Sequence, residues 1–385
     1  MALNRLSILL LFLLSGSLLL TNGCTSVKPV SGGTLPEIDS GQPDSAQRAH
    51  SVYLIGDAGW VSPDPLPPVL KNLQKDLEQS GKNSSVVFLG DNIYPKGLRP
   101  KGHRKRKASK QPILAQLQIL DGYKGNALFI PGNHDWRNST INGLKTVRRQ
   151  EKFIEAHLEG YNAFVPDSGK PGPVYRPVLS ASEQDTLLQI IALDTQWWLH
   201  PHKKKEGKTR QQEAATKQKI REELHQILDR NTEAPFLVVG HHPVYSRSTH
   251  GGYFPLKTHL LPPVFGSMYV LYRNVFGLKQ DIANKKYSRM ADMLKEAFSD
   301  HKVIYASGHD HTLQLLEKGR AVSNYYLISG AGSAVNYVNE PDPYSGNFGY
   351  QGLGYAAIHF YEDQSIWVEM KDARGRLLYE RKLKW

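Results

Sequence analysis

Five short apolar runs in this chain each stop at a glycine flanked by aspartate, asparagine or histidine. Leu54-Ile55 runs into Gly56-Asp57-Ala58-Gly59, and Phe88-Leu89 into Gly90-Asp91-Asn92-Ile93-Tyr94. Phe129-Ile130 runs into Pro131-Gly132-Asn133-His134-Asp135, Val238-Val239 into Gly240-His241-His242-Pro243, and Ala306-Ser307 into Gly308-His309-Asp310-His311. Apolar runs of this kind read as buried strands. Strand ends at one edge of a sheet bring side chains distant in sequence into a common crevice. Glycine there lets the backbone turn sharply and leaves room for a ligand. The groups collected are carboxylate, amide and imidazole with no thiolate, a donor set for a harder or borderline dication or for Fe(III). There are enough of them for two metal ions.

The rest of the chain supports an α/β architecture. Leu188 to Leu193, Lys302 to Ala306 and Tyr326 to Ile328 add strands, and Tyr355 to Leu383 reads as two or three antiparallel strands with a turn at Asp372 to Gly375. Helices are expected at Pro68–Gln79, Pro112–Leu120, Leu144–Leu158, Arg210–Leu228 and Tyr287–Phe298. In the fourth, Ala214, Ile220, Leu224, Ile227 and Leu228 fall on one face. With 40% hydrophobic and 22% charged residues among 385, the chain can bury a large core, which excludes a mainly disordered protein. A single cysteine excludes an intramolecular disulfide framework, a cysteine zinc ribbon and an iron–sulfur cluster.

The amino terminus reads as an export signal. Asn4 and Arg5 precede an apolar run from Leu6 to Leu20, too short for a comfortable membrane span. Leu20-Thr21-Asn22-Gly23-Cys24 follows and resembles a bacterial lipobox, although Thr21 stands where leucine is usual. A signal peptide at 1–23 and a lipid anchor on Cys24 are therefore expected, making this an exported, periplasmic or cell-surface membrane-anchored lipoprotein. The alternative is an incidental cysteine beside an ordinary cleavage site. Residues 24–50, rich in Ser, Gly, Pro and Thr, read as a flexible tether, leaving 51–385 as the catalytic domain.

The five blocks, in this order, resemble the metallophosphoesterase (calcineurin-like) superfamily, and within it the small purple acid phosphatases. Leu237 to Ser246 and Ser329-Gly330-Ala331-Gly332 are also similar, and His250 stands nine residues beyond His241 as that family's pocket histidine does. The resemblance implies a four-layer fold, a β-sandwich of two mixed sheets flanked by helices, with the metals at strand ends. It implies a first ion held by Asp57, Asp91, Tyr94 and His311, and a second held by Asp91, Asn133, His241 and His309, with Asp91 bridging. Many members carry histidine where this chain has Gly59, while Tyr94 occupies the place of the purple enzymes' phenolate ligand. The expected ions are Fe(III) in the first site and Fe(II), Zn or Mn(II) in the second.

By the same resemblance the activity is that of an acid phosphatase: hydrolysis of phosphate monoesters by a metal-bound hydroxide. His134 and His250 would line the pocket and help protonate the leaving alkoxide, with Asp135 orienting His134. His242 is expected to be pocket wall, and Asp194 structural. Trp197-Trp198 reads as core or rim packing, with stacking on a substrate as the alternative. The same site could instead serve a phosphodiesterase or nucleotidase. A rival of another class is a non-catalytic basic surface lipoprotein that binds polyanions, which has no need of all seven ligand groups.

The net charge of +12 suits an anionic phosphate-ester substrate, and no specific nucleic-acid recognition is expected. Two cationic runs, Lys101 to Lys110 and Lys203 to Arg210, cannot be core. The first is expected near the mouth of the site, and the second in an exposed loop over it.

Overall fold

The computed structural model describes residues 47–385 apart from 160–161, 168, 180–185, 231–232, 320–321 and 342–344. The expected signal, Cys24 and the tether up to residue 46 lie outside the described residues.

Two mixed sheets form the centre. The first contains β1 (Arg48–Ile55), β2 (Ser84–Phe88), β3 (Asn126–Phe129), β11 (Gly354–Tyr361), β12 (Ile366–Asp372) and β13 (Leu377–Lys382), in the order β13-β12-β11-β1-β2-β3. The second contains β4 (Val174–Leu179), β5 (Thr186–Leu193), β6 (Phe236–Gly240), β7 (Val303–Ser307), β8 (Leu313–Lys318), β9 (Asn324–Ser329) and β10 (Phe348–Tyr350), in the order β10-β8-β9-β7-β6-β5-β4. β1, β2 and β3 run parallel, as do β5, β6, β7 and β9, while the flanking strands are antiparallel. Each strand thought to end in a site block is one of these parallel strands.

The period-two pattern of the strands explains the layers. In β1, Val52 and Leu54 join Leu237, Val239, Ile304 and Ile358 in the core between the sheets. Tyr53 and Ile55, on the opposite face, join a second core with Leu70, Leu73 and Leu77 of α1 (Pro68–Ser80). α6 (Arg210–Leu228) and α9 (Lys285–Phe298) contribute Ile220, Leu224, Met290 and Leu294 to that second core. Two mixed sheets flanked by helices are thus what the chain forms. Ile358 is fully buried between the sheets. Ile358→Ala should cost about 3 kcal/mol and lower the melting temperature by several degrees. A loss below about 1 kcal/mol in thermal unfolding would mean that this layer is not close-packed.

Three sequence expectations need adjustment. α2 spans Arg106–Gln118, starting six residues before the expected helix, so half of the first cationic run is helical. The apolar face of α6 begins only at Ile220, because Ala214 lies in exposed early turns held by a capping box between Thr209 and Gln212. The stretch from His200 is not an open loop: α5 (His202–Glu206) buries His202, and His200 is buried beside it. Glu206 lies 3.2 Å from His200 Nε2 and 3.1 Å from His202 Nδ1, and the Lys208 ammonium lies 3.3 Å from the same carboxylate, so this segment is gathered around Glu206.

Candidate metal centre

The ligand candidates converge where the carboxyl ends of β1, β2, β3, β6 and β7 meet. Gly56 N–H donates to Ser329 O at 2.7 Å and Gly308 N–H to His241 O at 3.0 Å, tying the strand ends together across the gap. Asp57, Asp91 and His309 all have left-handed backbone (φ 57°, 52° and 69°). Such φ values cost energy in non-glycine residues and persist where the surroundings impose them, as they do at functional sites. Gly132 has no alternative: a Cβ there would meet Asp91 Oδ1 at 2.2 Å.

Two donor sets result. In the first, Tyr94 OH lies 2.7 Å from Asp57 Oδ1 and 3.0 Å from His311 Nε2, and His311 Nε2 is 3.4 Å from Asp57 Oδ1. In the second, Asn133 Oδ1 is 3.0 Å from His241 Nε2 and 3.1 Å from His309 Nδ1, with Asp91 Oδ2 3.5 Å from His241 Nε2. One ligand atom each from Asp57, Asp91 and His241 fall within 4.8 Å of one another, which places Asp91 between the sets.

Proton bookkeeping shows that these atoms suit a cation. His241 Nδ1 lies 2.8 Å from Leu89 O and His309 Nε2 lies 3.0 Å from Gln280 O. A carbonyl only accepts, so each of those nitrogens carries its ring's proton. At His309 the opposite nitrogen then turns a lone pair toward Asn133 Oδ1, and at His241 it shares a proton with Asp91; the Asn133 amide is oriented by its Nδ2 donating to Asn138 Oδ1 at 3.2 Å. A lone pair facing an amide oxygen at hydrogen-bonding distance needs a positive charge between them. Backbone carbonyls orienting ligand imidazoles in this way are a common outer shell of metal sites.

The electrostatics point the same way. Burial alone would raise Asp91, yet the imidazoles of His241 and His134 pull its carboxyl below the usual range. Burial alone would lower His241, yet Asp91 and Asp57 raise it to about 9. Burial, Asp57 and Asp91 raise the Tyr94 phenol well above its ordinary value. A cation supplies the compensation these buried groups otherwise take from protons.

Gly59 and Tyr94 are coupled by space. A Cβ at position 59 would lie 2.6 Å from the Tyr94 ring, 2.6 Å from Asp91 O and 2.7 Å from Tyr94 N, so ring and main chain together leave no room for a side chain there. Trp60, not anticipated from sequence, stacks on Tyr94 at 4.3 Å and remains 58% exposed at the rim.

The pocket histidines stand on either side. His134 lies against the Tyr94 ring, and its Nδ1 donates to Pro95 O at 2.7 Å. Asp135 therefore does not orient His134. Its buried carboxylate accepts from the backbone N–H groups of Gly132, Asn92 and Ile93 and from the Asn92 side chain, holding two site loops together. Burial and the nearby Asp91 raise it to about 6. On the other side His250 stacks on His309 at 4.2 Å, and its Nδ1 lies 2.8 Å from Asp281 Oδ1. Asp281 is in turn held by Arg273 Nε at 2.8 Å and by Leu278 N–H at 2.7 Å. Neither Asp281 nor Arg273 belongs to a recognisable block.

His242 uses Nδ1 on Thr195 Oγ1 and Nε2 on Gln280 Oε1, both at 2.8 Å, and so is pocket wall. Asp194 caps α4 (Thr195–Leu199) and accepts from Trp136 Nε1 at 2.8 Å, a structural role, and Trp197 and Trp198 are core. The first cationic run lies on the His134 side: desolvation, then Arg99, Arg104 and Arg137, hold His103 below its ordinary pKa, and Arg137 N–H donates to His134 O at 2.9 Å.

Comparison with known proteins agrees with this geometry. The family model of the calcineurin-like phosphoesterases matches residues 50–313, a span containing all seven proposed ligands. Purple acid phosphatase 4 of Arabidopsis thaliana is 24% identical over 312 residues, covering 77% of this chain and 72% of that protein. Among solved structures, purple acid phosphatase PPD1 from yellow lupin (Lupinus luteus) seeds superposes with a TM-score of 0.53 at 13% identity, over 86% of this chain and 53% of that one. GAP50, the anchor in the inner membrane complex of Plasmodium, superposes with a TM-score of 0.52 at 15% identity, over 87% of this chain and 88% of that one. With a family match over well over half its length, two mixed sheets and acceptor atoms gathered at their parallel strand ends, this chain belongs to the calcineurin-like phosphoesterases, as a metallophosphoesterase resembling the purple acid phosphatases.

Proposed function

We propose that this chain is a binuclear-metal acid phosphatase that hydrolyses phosphate monoesters, exported and lipid-anchored at Cys24. The observation that carries the phosphatase reading is Tyr94, whose hydroxyl lies 2.7 Å from Asp57 and 3.0 Å from His311 where Gly59 leaves no room for another ligand. A phenolate donor selects a harder ion such as Fe(III) for Asp57, Asp91, Tyr94 and His311. Asp91, Asn133, His241 and His309 would hold the second ion as Fe(II), Zn or Mn(II). Two such ions supply Lewis acidity to the phosphoryl group and lower the pKa of water.

The chain's own residues do the rest. Asp91, shared between the sets, fixes their separation. His134, its Nδ1 proton committed to Pro95 O and its Nε2 3.8 Å from Asp91 Oδ2, would bind the substrate's phosphoryl oxygens as the doubly protonated imidazolium. His250, its Nδ1–H held by Asp281, would act as the imidazolium, giving its Nε2 proton to the leaving alkoxide and remaining as the Nδ1–H tautomer. The exposed face of Trp60 offers a stacking surface at the rim.

The test is the visible spectrum of the aerobically purified protein. A violet tyrosinate-to-iron band is expected, lost in Tyr94→Phe, together with faster cleavage of a chromogenic monoester than of the matching diester. A colourless protein with stoichiometric divalent metal would remove Tyr94 from the ligand set and the purple acid phosphatase assignment with it. Preference for the diester would move the activity to the phosphodiesterase reading.

A further inference from the structure

Among the described residues, the densest run of exposed large hydrophobics lies outside the metal centre. α7 (Leu256–Leu260) and α8 (Phe265–Val275) form a short helical hairpin. Among the described residues, twelve of the twenty exposed large hydrophobics fall between Leu256 and Leu278. Leu256, Val264 and Phe265 are 70–72% exposed. α7 buries no residue, and α8 buries only Gly266, Val270 and Arg273. The two helices meet closely at Gly266, where a Cβ would lie 2.3 Å from Thr258 O, so the hairpin is closed on itself and its outer faces stay exposed among the described residues. Monomer surfaces rarely leave a contiguous apolar patch of this kind without a binding role.

Charge narrows the partner. No aspartate or glutamate occurs from Ala234 to Gln280, whereas Lys257, His259 and Lys279 flank the hairpin. Arg273, the one charge within α8, is neutralised inward by Asp281. Aliphatic side chains mixed with Tyr269, Tyr272 and Phe276, and bordered by cations, are what an anionic bilayer surface accepts. Two copies packed through this face would bring like charges together. At 11 residues α8 is about 16 Å long, too short to span, and no helix among the described residues is long and apolar enough to cross a membrane.

We infer that the α7–α8 hairpin is a membrane-docking face that seats in the headgroup region of an anionic lipid bilayer. It would act beside the lipid anchor expected at Cys24, since a single weak membrane signal gives only reversible attachment and two give stable attachment. Arg273 of α8 holds Asp281 and Asp281 holds His250, so docking sets the His250 side of the pocket next to the headgroups.

The test uses the chain without the expected signal (residues 1–23) and with Cys24→Ser, which removes both the apolar leader and lipidation, against the same chain carrying Phe265→Glu, Leu271→Glu and Phe276→Glu, all at exposed positions. Co-sedimentation with phosphatidylglycerol–phosphatidylcholine vesicles should fall about tenfold or more in the triple variant, and should weaken in salt or on pure phosphatidylcholine. Melting temperature and hydrolysis of a soluble ester should stay unchanged, which keeps the docking result separate from the fate of the phosphatase reading. Equal sedimentation of both proteins, or none by the Cys24→Ser protein, would overturn the inference. So would a Cys24→Ser dimer that the triple substitution converts to monomer, because the hairpin would then be a protein interface.

Discussion

Replacing Asp91 with asparagine should abolish hydrolysis and strip the site of at least one of its two metal ions. Asp91 is buried and adjoins both donor sets: its Oδ2 lies 3.5 Å from His241 Nε2, and its carboxyl acts on the Tyr94 hydroxyl. One of its oxygens accepts from His134 N–H at 2.7 Å, so the other faces His241 and His134. Asparagine fills the same volume but removes the negative charge that pulls His241 up to about 9. It also turns an N–H₂ toward imidazole nitrogens and cations in one of its two orientations. Loss of a bridging charge from a two-metal clamp should lower kcat/KM by about a thousandfold or more, roughly 4 kcal/mol of barrier. Elemental analysis beside a steady-state assay checks both parts. A variant that keeps two ions per chain and a rate within tenfold of the parent would disprove the bridging role.

The asymmetry between what the sequence announces and what it hides has a physical basis. The clustering of Asp57, Asp91, Asn133, His241, His309 and His311 is legible because a side chain presented at a strand end needs a sharp turn, and the turn leaves a glycine beside it. The layers were legible because strands buried on both faces read as near-continuous apolar runs. Residues that act through a fold-dependent contact leave no such mark. Pro95 orients His134 through its main-chain carbonyl, which any residue type has, so the neighbouring Asp135 drew the assignment instead. Asp281 reaches His250 from 31 residues further along the chain. The α7–α8 hairpin escaped for another reason. It is apolar nearly all round and interrupted by Pro262 and Pro263, so it carries no 3.6-residue period by which an amphipathic helix is recognised.

Asp281→Asn should test whether His250 is the proton donor. The carboxylate binds His250 Nδ1–H and two groups of Arg273 at once, so it fixes both the tautomer and the direction of the ring. With asparagine, an N–H₂ facing Nδ1–H and the guanidinium would have no acceptor to meet, and an oxygen in the same place carries no full charge. His250 would lose its preferred orientation while the metal ligands stay untouched. The expected result is two metal ions per chain, a cooperative melt lowered because Arg273 loses its counter-charge, and a fall in kcat of about a hundredfold on alkyl phosphates. Nitrophenyl phosphate should suffer far less, because nitrophenolate leaves without needing a proton. An equal loss on both substrates would mean that His250 binds phosphoryl charge and gives up no proton. Unchanged rates on both would show that the Arg273–Asp281–His250 chain positions nothing that the reaction uses.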